Sequence, residues 1–200
     1  MLSPETRDVY LGDIGFQARC ALRAAASADA TYRAMVEKLA APAAGSHVPY
    51  LEEILRAVHS MLTHASCISK MLWPILPFQK RKTESKEEFA ERRGFMDERG
   101  RELRDALSVE ESSVLRERAV RDHLEHFDER LDERARSGRS GWIRNNIGPL
   151  SSMGFAKRDL LRWFDQSSGE FIMQGDSVLI PRLAAELQRI LDTLPERHRQ

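Results

Sequence analysis

The sequence predicts a mainly α protein: a helical up-and-down bundle of four to five helices, finished by a small C-terminal β-hairpin and a terminal helix. Three observations carry that expectation. Long stretches place apolar residues three and four positions apart, the spacing of one helix face. Pro42 and Gly45, Pro74 and Pro77, and Ser137-Gly138 cut the chain between those stretches. Beyond Gly138 the composition changes, and short apolar runs around a Gly-Asp pair read as paired strands.

Taken in order, Ser3-Pro4-Glu5 is a helix start with proline in its first turn. Helical character then runs to Leu39, with room for a bend at residues 27–29. Gly12 and Gly15 fall inside this helix, where glycine indicates a close-packed neighbour more readily than a ligand. A second helix, 49–72, repeats Leu51, Leu55, Val58, Leu62 and Ala65 at helical spacing and forms the central core element. The main loop follows, and a third helix spans 86–107. Phe89, Met96, Leu103 and Leu107 share one side of it, opposite a face of alternating charge. A fourth helix is expected over 110–136. Short strands at 171–174 and 178–180 join through Gly175-Asp176, and 161–165 reads as a third strand or the end of a short helix. Pro181 opens the last helix, which ends before Pro195. Residues 1–140 form the bundle on this reading. Residues 141–200 form a cap packed on it, too short for a core of their own.

The chain of 200 residues is 42% hydrophobic and 31% charged, with a formal net charge of zero. Overall attraction to RNA is therefore not predicted, and any nucleic-acid contact must come from a local patch. Cys20 and Cys67 sit in apolar helical settings and read as reduced thiols. With neither a leader-like start nor an apolar run of membrane length, a soluble, cytoplasmic protein with no membrane contact is expected.

Residues 110–136 hold no Gly or Pro, so one continuous helix is expected there. Val120, Leu124, Phe127, Leu131 and Ala135 fall on its core stripe. Leu115, Ala119, Asp122, His126 and Glu133 lie roughly half a turn away. Apolar residues mixed with Asp and His indicate a cleft or a partner surface there, the plain alternative being a solvated face with a stray histidine. Arg121 is followed directly by Asp122, and four residues separate it from His126.

That pattern, late in a helical core, resembles the signature of the HEPN superfamily of compact helical domains. The resemblance covers the motif helix closely and the preceding bundle in outline. It implies a metal-independent endoribonuclease in a toxin–antitoxin or defence setting. A homodimer would bring two motif copies together on an RNA substrate, with an antitoxin protein as a further partner. The chemistry suits the residues: His126 as general acid or base on the 2′-hydroxyl, Arg121 as the phosphate clamp, and Asp122 orienting them. On one straight helix Arg121 and His126 point about 140° apart, so a composite dimer site is the workable one.

Lys80, Arg81 and Lys82 form the best local basic patch for a phosphate backbone, although a solvated loop is its plain reading. His59 and His64 lie on the edges of the second helix, within reach of the Arg121–His126 face. A metal-binding bundle is a rival, since His123, His126, Asp122 and Glu125 offer ligand atoms and His47, His59 and His64 more. The Glu-x-x-His arrangement of di-iron bundles is missing at every histidine, so neither metal nor cofactor is expected. The rival from another class is a non-catalytic HEPN-like interaction or scaffold module using the same face.

Overall fold

The computed structural model describes residues 1–40, 48–138, 143–152 and 154–199. Pro42, Gly45, His47 and Gly141 lie outside the described residues. The described chain is mainly helical, with a small four-stranded sheet near its C-terminus.

Helix α1, Pro4–Leu39, runs without a break through residues 27–29. Ser3 caps it by accepting from the Thr6 N–H at 3.1 Å. Helix α2, Val48–Leu72, lies along α1 and supplies the centre of the core, with Ile54, Val58, Met61, Ala65 and Ile68 fully buried. Helix α3, Lys86–Ala106, opens with a reciprocal cap. Ser85 Oγ accepts from the Glu88 N–H at 3.0 Å, and the Glu88 carboxylate accepts from the Ser85 N–H at 2.7 Å. Gly100 lets α3 approach the end of α2: a Cβ there would sit 2.6 Å from the Leu72 carbonyl oxygen.

The expected continuous helix over 110–136 is instead broken twice. A single 3-10 turn covers Val114–Arg116, helix α4 covers Ala119–Glu125, and helix α5 covers Phe127–Arg136. Extended backbone at Glu117 makes the first break, and His126 (φ −112°, ψ 39°) makes the second. The cause of the first lies in side chains. Arg121 takes the Leu115 carbonyl, while the Arg118 and Ala119 N–H groups donate to the Glu117 carboxylate at 3.1 and 3.3 Å. Local side-chain partners thus replace helical ones. Leu115, placed by periodicity on the outer face, is fully buried, and Ala135 of the expected core stripe is exposed.

The expected hairpin exists within a larger sheet. Strands β1 (Ile143–Ile147), β2 (Leu160–Asp165), β3 (Glu170–Met173) and β4 (Asp176–Leu179) lie in sequence order, with β1 parallel to β2 and the rest antiparallel. The β3–β4 turn is centred one residue earlier than expected. Gln174 and Gly175 both take positive φ, 54° and 107°, as a tight two-residue turn requires. Phe164, Phe171 and Val178 form a cross-strand row facing the helices, and Phe171 and Met173 join the helical core. Leu160, Trp163 and Ile172 form a second small cluster. Helix α6, Ile180–Thr193, follows with Pro181 in its first turn and packs against α1. Past it, a 3-10 turn at Glu196–His198 settles on α1 beside Gly12 and Gly15, and Arg19 donates to the His198 carbonyl at 2.5 Å.

Candidate functional site

Arg121 is the residue on which the expected chemistry turns, and it is 4% exposed. Its guanidinium donates to the carbonyls of Ala65 on α2 (3.1 Å), Leu115 (2.8 Å) and Glu117. Burial, helped by the neighbouring Arg118, lowers its pKa to about 10. The side chain therefore ties α4 to α2 and to the turn before it. Arg118 does similar work one turn earlier, donating to Ser69 Oγ (3.1 Å) and to the carbonyls of Ser69 and Trp73.

Asp122 and His126 remain exposed. His126 Nδ1 lies 3.4 Å from Glu129 Oε1. Between them Glu125 turns back toward α2, where Lys70 (2.7 and 2.8 Å) and Ser66 (2.9 Å) donate to its carboxylate and hold its pKa below the usual range. His59, Thr63 and Ser66 of α2 face Arg121, Leu124 and Glu125 across a small cavity of about 90 Å³. Burial, with Arg162 nearby, pushes the His59 imidazole pKa down. Arg162 of β2 lies over the Phe127 ring at 4.1 Å and donates to Asn145 Oδ1 at 3.3 Å. So α2 and α4 bring His59 and Arg121 to one cavity, with Arg162 close by.

Other histidines have structural partners. His64 Nδ1 meets Gln17 Oε1 at 2.7 Å, and His123 Nε2 meets Asp176 Oδ2 at 2.7 Å, which fastens α4 to the β-hairpin. Among the described residues no group of three or more His, Cys, Asp or Glu is placed to hold a metal ion. Nor is any helix long and apolar enough to cross a membrane. Cys20 and Cys67 are free thiols.

Lys80, Arg81 and Lys82 sit in a loop that folds around Glu84. The Arg81 N–H (2.9 Å) and the Arg92 guanidinium (2.7 and 2.9 Å) donate to the Glu84 carboxylate, and Lys80 Nζ donates to the Glu84 carbonyl at 2.8 Å. Arg92 is the main cause of a Glu84 pKa lowered to about 2. The side chains of Arg81 and Lys82 are exposed.

No family model, curated protein or solved structure matches this chain. Its site has to be read from its own geometry. Sequence reasoning missed Arg162 because a single Arg in an apolar strand carries no spacing signal. It also missed two open grooves, about 470 and 590 Å³, which share Ser113 and Arg182 at the start of α6. No motif marks them.

Proposed function

We propose that this chain is a non-catalytic helical interaction module of HEPN-like type, in which the Arg121–His126 stretch serves architecture. One observation carries the reading: the Arg121 guanidinium is buried and committed to three main-chain carbonyls, so it has no free fork for a phosphate. The finer description as an up-and-down bundle of four to five helices, and a cytoplasmic setting, belong to this proposal. Its working face is the exposed side of α4 and α5 around Asp122, His126 and Glu129, which a second copy or a restraining protein partner would cover.

The test is direct. Purified protein incubated with single-stranded and structured RNA in excess chelator is expected to leave both intact, with wild type and His126→Ala alike. Cleavage by wild type that leaves 2′,3′-cyclic phosphate ends and disappears in His126→Ala would overturn the proposal.

That outcome is what the second reading expects, a metal-independent endoribonuclease with a composite dimer site in a toxin–antitoxin or defence setting. The observation favouring it is that Asp122 and His126 are both exposed, one turn apart, where a partner copy can meet them. Its phosphate clamp would then be a cation other than Arg121 in its present position.

A further inference from the structure

Phe78 is 93% exposed, and Ile75, three residues before it, is 58% exposed. Both belong to the connection between α2 and α3, whose backbone is held at several points. Pro74 and Pro77 restrict it, Arg93 donates to the Pro77 carbonyl at 3.3 Å, and the Glu84 N–H donates to the Arg81 carbonyl at 3.1 Å. The Glu84 carboxylate gathers the Arg81 N–H and the Arg92 guanidinium on the far side. An aromatic ring on such a loop is presented to solvent.

Beside that ring the charge is one-sided. Residues 78–86 contain Lys80, Arg81, Lys82 and Lys86 against Glu84 alone, in a chain whose net charge is zero. Glu84 is already occupied by Arg92, and the Arg81 and Lys82 side chains make no hydrogen bond or ion pair among the described residues. A bare ring within four residues of two exposed cations, Arg81 beside Glu84 and Lys82, matches what an unpaired nucleic-acid strand offers: a base face to stack and phosphates on either side.

We propose that the Phe78–Lys82 loop is a docking site for single-stranded nucleic acid, with a base stacked on Phe78 and the backbone held by Arg81 and Lys82. This goes beyond the interaction-module reading and does not depend on whether RNA is cut. Stacking and phosphate contact do not touch the 2′-hydroxyl, so RNA and DNA strands bind alike. A duplex keeps its bases stacked on each other and binds more weakly. An anionic lipid surface fits less well. Exposed Glu87, Glu88 and Glu91 follow directly on α3, and they repel a broad anionic plane more than a short strand that contacts Phe78, Arg81 and Lys82 alone. Lipid recognition also calls on larger basic clusters, roughly four to eight Lys and Arg.

The experiment is fluorescence anisotropy of the full chain with labelled twelve-residue oligo-U and oligo-dT, a duplex of the same length, and phosphatidylserine vesicles. Wild type is expected to bind both single strands and to prefer them to the duplex and the vesicles. Phe78→Ala should weaken strand binding by at least about fivefold, and Phe78→Trp should restore it. Because that ring touches little of the fold, circular dichroism and the melting temperature should not move. Arg81→Ser with Lys82→Ser should flatten the salt dependence by about 1.4 in log–log slope. Equal binding by Phe78→Ala, a preference for the duplex, or no strand binding at low salt would each overturn the proposal. So would Phe78-dependent binding confined to vesicles. Strand binding without cleavage leaves the non-catalytic reading standing, so the two proposals fail separately.

Discussion

Arg121 is a charged side chain folded into the interior, and its partners are carbonyl oxygens instead of a carboxylate. Removing it leaves buried acceptors unpaired, so Arg121→Ala is expected to lower stability by about 3 kcal/mol in urea unfolding. Arg121→Lys recovers little of this, because one ammonium cannot span three carbonyls on two elements. His126→Ala, at an exposed position, should stay within roughly 0.5 kcal/mol. The sign of the pH effect follows from the lowered guanidinium pKa. Burial disfavours the charged form, so that penalty is present in full below about pH 10 and is relieved as pH climbs above it. The residue pattern Arg121, Asp122, His126 was visible in the sequence. What periodicity hid was the direction of Arg121, since a flank position on a helix can turn inward when a carbonyl of a neighbouring helix, here Ala65, accepts a second hydrogen bond.

Among the elements, α3 provides two glycines with opposite expectations. Gly100 meets the Leu72 carbonyl, so Gly100→Ala should separate α3 from α2 and lower the melting temperature. Gly94 has open space where a Cβ would go, so Gly94→Ala should raise stability by about 0.5–1 kcal/mol through helix propensity. The loop before α3 has its own pH window. Because the Glu84 carboxylate pKa is lowered to about 2, its contribution is complete above the ordinary value of 4.5 and is lost as pH falls from there toward 2. Faster exchange of the Arg92 Nε–H over that range is the measurement. Helices α1, α2, α3 and α6 were legible because their apolar spacing and their Pro or Ser punctuation agree. The 110–136 region was not, because nothing in a run of good helix formers announces that Glu117 and Arg121 will capture main-chain groups. Strand β1 was hidden for a different reason: it follows a glycine-rich stretch and pairs in parallel with a strand thirteen residues beyond its end, so no turn signal links them.

Across the whole molecule, the largest separations in sequence are closed at the C-terminal turn. His198 Nε2 lies 2.8 Å from Asp8 Oδ1, Arg197 pairs with the same carboxylate, and the His198 backbone occupies the space that a side chain on Gly15 would need. Gly15→Ala should lift this turn off α1, seen as faster hydrogen exchange of the His198 and Arg199 amides with little change in α2. Gly12 and Gly15 were readable as a packing signal. Their partner was not, because a histidine 179 residues beyond Arg19 shares no periodicity with it. The same closure orders events during synthesis. At roughly 5–20 residues per second, α1 leaves the ribosome about 8–32 s before the turn that seals it. Throughout that interval the trough at Gly12 and Gly15 is open on a helix already able to pair with α2. A nascent chain stalled before residue 195 would therefore present that trough to chaperones, while a chain extended past His198 hides it.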